Sequence, residues 1–293
     1  MPSLGIDIGG TSVKACVLDG VQARTSRSSP YADPSRGLLV QAIQEAVGEL
    51  GMLEKAGAVG LCVPGKQTPV GDAVAVSVNL PCLNGWAFAD LLSEALGHTP
   101  NACTILSDVQ AAGEDYLFSH TTAQSGRTAI IAIGTGVGLG VFDQGVPVSI
   151  GTGFGIGHLG LMDMGRLGDT DTVGADGSRN TLESYIGARA VERRFPDVEP
   201  TALPQAIAML TRGEPILEAL IHALRIVHAI YTPDQIVLMG GVGGAMRPHG
   251  ALIDAAVRDG LTSLAKPGWA LLFGDDAYHA SRGAARSALG LLG

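Results

Sequence analysis

The feature that most constrains how this chain can fold is a unit of strand, glycine turn and strand that occurs twice. Residues 4–19 contain two short apolar runs on either side of a Gly-Gly-Thr turn at 9–11. Residues 129–142 repeat the arrangement around a Gly-Thr-Gly turn at 134–136. Apolar runs that meet at a tight turn predict β-hairpins. Because helical patterns and short strands follow each hairpin, the sequence predicts two mixed α/β lobes.

The rest of the chain supplies the other elements of both lobes. Asp33-Pro34 predicts a helix start, as an N-cap residue followed by a first-turn proline. Apolar spacing predicts helices over 34–50, 87–96, 182–194 and 214–231, one beginning near Asp108, and one at the C-terminus. Strands are predicted at 58–63, 104–107, 235–239 and 269–273. We therefore expect a small N-terminal lobe over 1–107, a larger lobe over 108–278, and a helix over 279–293 that packs back on the first lobe.

Composition excludes several classes of protein. The 293 residues are 46% hydrophobic and 16% charged, so the chain can bury sizeable cores. A net charge of -9 is repelled by a phosphate backbone and by an anionic membrane surface, so neither nucleic acid nor membrane is an expected partner. The four cysteines, at 16, 62, 82 and 103, lie too far apart for a disulfide framework or a cysteine zinc site. With no basic leader or bilayer-length apolar run, we expect a cytoplasmic protein.

The glycines at 134–140 match the residue pattern of a dinucleotide-binding fingerprint but lack its structural context. That fingerprint needs a helix after the glycines, and here a strand follows. A hairpin tip with backbone N–H groups and a threonine hydroxyl can instead hold phosphate. The alternative interpretation is a plain glycine-rich turn.

The first hairpin adds charged groups to the same kind of turn. Asp7 ends the first strand, and Lys14 lies in the second. A carboxylate beside a phosphate turn is typical of a site where a divalent metal lies between them. The alternative for Asp7 is a strand-end aspartate that accepts hydrogen bonds from turn N–H groups. A third glycine segment, at 240–244, follows a late strand.

This arrangement resembles the superfamily of actin, sugar kinases and heat-shock chaperone ATPases, and most closely the ROK family of sugar kinases and repressors. Eight motifs occur in that family's order: LGIDIGGTSVKACVLD from 4, GLCVPGK from 60, NLPCLNGW from 79, SDVQAAGED from 107, IGTGVGLGVF from 133, IGHLG from 156, TLE from 181 and IVLMGGVGG from 236. The resemblance implies two actin-like, ribonuclease H-like lobes around a cleft that binds nucleotide and sugar.

The resemblance also implies which residues carry the chemistry. Asp108 corresponds to the family's catalytic base, although an aspartate between strand and helix is equally natural as an N-cap. ATP and Mg²⁺ are the implied cofactors, with Asp7 reaching the metal through water. The implied nucleotide and phosphate contacts are Asp7, Gly9, Gly10, Thr11, Lys14, Gly134, Thr135, Gly136, Gly240, Gly241 and Gly243. The implied sugar contacts are Gly65, Asn79, Ser107, Asp108, His158 and Glu183. Without the resemblance, His158 reads as a core or surface histidine and Glu183 as a solvated acid in a first helical turn.

Three departures from the family pattern bear on specificity. Gly155 replaces a glutamate, and Ser107 replaces an asparagine, so sugar hydroxyls lose polar contacts. We therefore expect glucose to be a mediocre substrate. The segment 173–181 has no cysteine, so no structural zinc is expected.

The sequence thus predicts an ATP- and Mg²⁺-dependent kinase that phosphorylates a hexose or hexose derivative at O6, and family resemblance suggests a homodimer. One alternative is a non-catalytic sugar sensor, since the family includes repressors. Those carry a DNA-binding segment before the first hairpin, whereas here the hairpin begins at residue 4 and the chain is acidic. The other alternative is a kinase with a different acceptor or with polyphosphate as donor.

Overall fold

A computed structural model of the chain describes residues 2–53, 57–120, 125–149, 158–167, 171–174, 177–262 and 268–290. The chain forms two compact α/β units. The first consists mainly of Met1–Ser119 and Tyr278–Gly293, and the second mainly of His120–Val148 and Ile156–Ala277. The predicted mixed α/β fold of two lobes is confirmed.

Strands and α-helices together build both units. The described strands are β1 (Ser3–Ile8), β2 (Val13–Asp19), β3 (Gln22–Arg27), β4 (Ala58–Cys62), β5 (Lys66–Gln67), β6 (Val74–Val76), β7 (Ala102–Leu106), β8 (Arg127–Ile133), β9 (Val137–Asp143), β10 (Val146–Pro147), β11 (Gln235–Met239) and β12 (Ala270–Phe273). The described α-helices are α1 (Arg36–Glu49), α2 (Phe88–Leu96), α3 (Asp108–Ser119), α4 (Leu182–Ile186), α5 (Ala188–Arg194), α6 (Leu203–Ala208), α7 (Pro215–Tyr231), α8 (Gly240–Ala245), α9 (Gly250–Asp259) and α10 (His279–Gly290).

The two main sheets have the same topology. The first has the order β3-β2-β1-β4-β7 and the second the order β10-β9-β8-β11-β12. In each sheet the first three strands are antiparallel. The central strand (β1 or β8) also pairs in parallel with one later strand (β4 or β11), which pairs in parallel with the edge strand (β7 or β12). Each glycine turn therefore joins the central strand of its sheet to the neighbouring hairpin strand.

Each unit has its own hydrophobic core. All six residues of β1 are buried, as expected for a central strand covered on both faces. The first core joins the sheet to α1 and α2 through side chains such as Leu39, Ile43 and Leu91. The second is built largely by α7 against the second sheet. In the described part of the chain, no helix combines the length and apolar character needed to cross a bilayer.

Two helix predictions need correction. Helix α1 begins at Arg36, and its N-cap is Ser35, whose hydroxyl accepts a hydrogen bond from Leu38 N at 3.2 Å, not Asp33. The single helix predicted over 182–194 is two helices, α4 and α5, separated at Gly187. A Cβ at Gly187 would lie 3.0 Å from the carbonyl oxygen of Thr135, so the helix breaks where its backbone meets the second glycine turn.

Helix α10 packs on the first unit through backbone contacts that only small residues allow. A Cβ on Gly283 would overlap the carbonyl oxygen of Ala111 in α3. A Cβ on Gly5 in β1 or on Gly60 in β4 would overlap the backbone of α10 itself. The structure thus groups α3 with the first unit, one helix later than the division drawn from the sequence after residue 107.

A buried ionic cluster joins the same two helices. Asp115 of α3 is fully buried and accepts hydrogen bonds from His279 Nδ1 at 2.7 Å and from the Nε atoms of Arg282 and Arg286, each at 2.9 Å. Burial alone would raise the pKa of Asp115, but these hydrogen bonds outweigh it and hold the pKa below its usual range. The cluster fixes the orientation of α3, whose first residue is Asp108.

The α3–α10 contact gives a direct test of this packing. We expect Gly283→Ala to lower the free energy of unfolding by about 1–3 kcal/mol, because the methyl group forces the two backbones apart. The matched control is Gly37→Ala in α1, where a Cβ meets open space. That variant should be neutral or stabilising by up to about 1 kcal/mol. Urea denaturation of both variants measures the difference, and equal stabilities would contradict the close contact between α3 and α10.

Candidate functional site

The first glycine turn lies beside a carboxylate and an ammonium group on adjacent strands. Asp7 of β1 is paired directly with Lys14 of β2, and Lys14 Nζ lies 4.0 Å from Asp7 Oδ2. Asp7 is only 7% exposed, whereas Thr11 at the turn is exposed. The hairpin therefore presents a hydroxyl and backbone N–H groups next to a buried carboxylate.

Burial sets the charge behaviour of Asp7. The pKa of the carboxyl group is raised to about 6, mainly by burial; the charge of Lys14 opposes the rise, that of Asp108 adds to it, and that of Arg27 opposes it. Asp7 and Asp108 thus interact electrostatically, and the carboxylate of Asp7 is only partly compensated by the protein's own cations. An additional positive charge near Asp7 would stabilise its ionised form.

Tyr31 fixes the shape of this turn, and sequence reasoning missed it. Its hydroxyl donates to the carbonyl of Gly9 at 2.6 Å, and its backbone N–H donates to the carbonyl of Thr11 at 2.9 Å. Burial raises the pKa of this phenol, and the nearby Asp7 charge adds to the rise. An aromatic residue within the polar segment 28–33 was the only signal in the sequence.

At the start of α3, the residue that caps the helix is Ser107 and not Asp108. The hydroxyl of Ser107 accepts a hydrogen bond from Gln110 N at 3.2 Å, and its carbonyl accepts from Ala111 N. Ser107 is therefore the N-cap residue. Asp108 is exposed in the first helical position, where its Oδ1 accepts from Val109 N at 2.7 Å.

Two more predicted sugar contacts lie in the loops of the first unit. Gly65 has a φ of 110°, and a Cβ there would overlap the carbonyl of Val76, so only glycine fits. Asn79 is half-buried just before the 3-10 turn Pro81–Leu83. The structure thus places Asp7, Lys14, Asp108, Gly65 and Asn79 in one unit.

The second glycine turn is held in place by α4 and α5. Gly134 N donates to the carbonyl of Gly136 at 2.9 Å, which closes the turn. The carbonyl of Gly134 accepts from Ala188 N at 2.8 Å, and Val137 N donates to Glu183 Oε2 at 3.0 Å. These contacts explain why the helix must break at Gly187.

Glu183 therefore has a structural partner that the sequence did not predict. Thr181 caps α4 by accepting from Ser184 N at 3.3 Å, and Glu183 follows in the first turn. One carboxylate oxygen of Glu183 accepts the hydrogen bond from Val137 N, directly after the second glycine turn. His158 is exposed, and its carbonyl accepts from Leu161 N at the start of the 3-10 turn Leu159–Leu161.

The third glycine segment is a helix rather than an open turn. Gly240 begins α8 with a φ of 81°, and a Cβ there would overlap the carbonyl of Ile133 at the end of β8. Gly241 faces open space, and Gly243 is buried. The close approach of Gly240 to Ile133 brings this segment next to the second glycine turn, in the same unit.

Two sequence predictions concern residues that lie wholly or partly outside the described ranges. Gly155 lies outside the described residues. The cysteine-free segment 173–181 is described except at 175–176. Across the residues that the structure describes, no group of three or more His, Cys, Asp or Glu side chains is placed to bind a metal ion.

Comparison with known proteins identifies the family. Residues 3–290 match the sequence profile described as ROK family. The chain belongs to the ROK family. No curated protein sequence matches it.

Three solved structures share this fold, and two of them are described as ROK family proteins. A ROK family glucokinase from Streptomyces griseus, in complex with glucose and AMPPNP, is 19% identical with a TM-score of 0.80, over 99% of this chain and 100% of that chain. An inorganic polyphosphate/ATP-glucomannokinase from an Arthrobacter species is 19% identical with a TM-score of 0.65, over 99% of both chains. A ROK family transcriptional regulator, a homologue of the E. coli MLC protein, is 15% identical with a TM-score of 0.70, over 98% of this chain and 78% of that chain. Sugar kinases and a regulator thus share the actin-like α/β architecture of this chain.

Proposed function

We propose that this ROK protein is a sugar kinase, which transfers the terminal phosphoryl group of ATP to a hydroxyl of a hexose or hexose derivative, at O6. The observation that carries the proposal is the arrangement in the first unit. An exposed carboxylate, Asp108, interacts electrostatically with a buried one, Asp7, beside a glycine turn and Lys14.

Asp108 acts as the general base in this proposal. Because Ser107 caps the N-terminus of α3, the carboxylate of Asp108 is not needed for that capping role. It accepts the proton of the sugar hydroxyl as that oxygen attacks the terminal phosphorus of ATP, and the bond from this phosphorus to the bridging oxygen breaks, which releases ADP. The buried cluster around Asp115 holds the helix that carries this base.

The environment of Asp7 fits a magnesium ion. Mg²⁺ is usually held by one or two carboxylates together with waters and substrate phosphates, not by a full protein cage. Asp7 is a buried carboxylate with a raised pKa and one ammonium group at 4.0 Å, so it gains from a further cation. Bound through water to Asp7, the ion would neutralise charge on the donor phosphates.

The remaining predicted residues bind and orient the substrates. The turns Gly9-Gly10-Thr11 and Gly134-Thr135-Gly136 bind phosphate through their threonine hydroxyls and the N–H groups that follow Gly9 and Gly134, whose own N–H groups close the turns. Lys14 adds a positive charge. Gly240, Gly241 and Gly243 lie along the nucleotide. His158, Glu183, Gly65, Asn79 and Ser107 contact the sugar, Glu183 through the oxygen not bonded to Val137 N. In such a site most of the rate enhancement comes from positioning and electrostatics.

A coupled assay of ADP release tests the proposal. The purified chain is incubated with ATP, Mg²⁺ and a panel of hexoses, N-acetylhexosamines and deoxy sugars, and a reaction without sugar measures hydrolysis. Sugar-dependent ADP release from at least one panel member supports kinase activity. ADP release at the no-sugar rate with every member would contradict transfer from ATP. A parallel assay of sugar phosphate formation, with polyphosphate in place of ATP, tests the other donor.

The similarity to a ROK regulator makes a sugar sensor the second candidate. A sensor binds a sugar without phosphorylating it and changes its affinity for DNA or protein. Sugar binding by calorimetry with no turnover, together with sugar-dependent DNA binding, would favour that function over catalysis.

Family membership also leads us to propose a homodimer. We expect a mass near twice that of the 29.9 kDa chain by light scattering after size-exclusion chromatography. A single peak at the monomer mass, at micromolar concentration, would contradict this proposal without bearing on catalysis.

A further inference from the structure

Three charged side chains form a row across the first hairpin and the strand beside it. Asp7 of β1 is paired with Lys14 of β2, and Lys14 is paired with Arg27 of β3. Directly paired residues of antiparallel strands place their side chains on the same face of the sheet. Arg27 therefore belongs to the face that carries Asp7 and Lys14.

The guanidinium group of Arg27 is anchored at the base of the glycine turn. Its Nε donates to the hydroxyl of Ser12 at 2.9 Å. Ser12 is 3% exposed, and its carbonyl accepts from Gly9 N at 3.1 Å, so it is part of the turn itself. Arg27 is thus anchored to the same glycine turn whose shape Tyr31 fixes.

The other end of the guanidinium remains available. Arg27 is an exposed residue, and within the described ranges no carboxylate forms an ion pair with it. An arginine held by Nε still presents its terminal N–H groups as donors, and these match a phosphate group in geometry and charge.

The local charge also favours an anion. In the row of paired residues, two cations, Lys14 and Arg27, accompany one carboxylate, Asp7, and the carboxylate of Asp108 also interacts with Asp7. The positive charge of Arg27 reaches the carboxylate, since it lowers the pKa of Asp7 against the larger effect of burial. Two cations on one face beside a glycine turn are suited to several linked phosphates.

We propose that Arg27 is a further phosphate-binding residue, whose terminal N–H groups bind the oligophosphate chain of the phosphoryl donor. This inference rests on the proposed function and deepens it. The chemistry that Arg27 would recognise is a chain of phosphoanhydride-linked phosphates, which both a nucleoside triphosphate and inorganic polyphosphate contain.

Binding measurements on the full chain in the presence of Mg²⁺ test the role of Arg27. The probes are AMPPNP, AMP and inorganic tripolyphosphate, titrated by calorimetry into wild type and Arg27→Gln. We expect the variant to bind AMPPNP and tripolyphosphate about tenfold more weakly, since a charge-assisted hydrogen bond is lost. AMP, which has no phosphoanhydride, should bind with less than a twofold change. The ratio of wild-type affinities for tripolyphosphate and AMPPNP distinguishes the two sources.

The matched control is Arg24→Gln. Arg24 lies in the same strand, is exposed, pairs with Val17 and donates to the carbonyl of Leu50 at 3.2 Å. The Arg24→Gln substitution removes the same charge from the opposite face of β3, so the affinities for all three probes should stay within twofold of wild type.

The conservative variant Arg27→Lys separates charge from geometry. It keeps the charge but lacks the fork that binds Ser12 and phosphate together, so we expect an intermediate loss for AMPPNP and tripolyphosphate. Thermal denaturation of each variant confirms folding, and Arg27→Lys also serves if Arg27→Gln does not fold. Equal affinity of wild type and the Arg27 variants for both oligophosphates, with kinase activity present, would overturn the role of Arg27 alone. Wild type that binds none of the probes and transfers no phosphate would instead contradict the proposed function.

Discussion

Replacing Asp108 with asparagine should lower kcat at least about a hundredfold and leave the affinities for sugar and nucleotide nearly unchanged. The amide is close in size to the carboxylate but cannot take the proton of the sugar hydroxyl. Because Ser107 caps α3, the substitution does not remove the capping hydrogen bond of the helix. Steady-state kinetics with the preferred sugar, combined with calorimetric binding of sugar and AMPPNP, measures both quantities.

The matched control for this variant is Asp90→Asn. Asp90 is an exposed aspartate in the first turn of α2, in the same unit. Its loss should change kcat less than twofold. A value of kcat for Asp108→Asn near that of wild type would exclude Asp108 as the base.

Asp7→Asn should make the protein more stable while it removes most of the activity. The carboxyl group has a pKa of about 6 in the folded chain, against an ordinary value of 3.8. The folded state therefore binds the proton more tightly than the unfolded state, and ionisation of Asp7 costs stability as the pH rises from below 4 to above 6. The neutral amide avoids that cost. We expect a gain in the free energy of unfolding of about 3 kcal/mol at pH 8 and about half as much at pH 5.

Urea denaturation at the two pH values measures this difference. The control is Asp19→Asn at the exposed end of β2, for which a change within about 0.5 kcal/mol is expected. Addition of ATP and Mg²⁺ should stabilise wild type more than Asp7→Asn, since the variant has lost the carboxylate proposed to hold the metal. A variant that is less stable than wild type at pH 8 would show that the Asp7–Lys14 pair outweighs the burial of Asp7.

Local pattern was sufficient to predict the elements that place the glycine turns. Apolar runs predict burial in four of these elements: the hairpins around 9–11 and 134–136, the parallel strand β11 and helix α7. Strand β3 was not predicted, because its sequence, QARTSR, is polar and it lies at the sheet edge, where only Ser26 is buried. Arg27 was missed for the same reason.

Contacts between distant segments could not be predicted. The break at Gly187 depends on the carbonyls of the second glycine turn, far earlier in the chain, and periodicity alone favours one continuous helix. Likewise, the bond from Val137 N to Glu183 and those from Tyr31 to the first turn join residues with no local relationship. The glycines of α8 have poor intrinsic helix propensity, so their helical conformation reflects packing against β8 and β11. Motif resemblance located the candidate residues, whereas the structure shows what holds them in place.

The most direct test of the proposed phosphoryl transfer is ³¹P NMR of a reaction that contains the purified chain, ATP, Mg²⁺ and the sugar that releases ADP fastest. We expect a phosphate monoester resonance that couples to the C6 protons of the sugar and accumulates in step with ADP. The same reaction with Asp108→Asn should give that resonance at least about a hundredfold more slowly. If ADP is accompanied only by inorganic phosphate, or if the phosphosugar forms equally fast with Asp108→Asn, phosphoryl transfer by this site is contradicted.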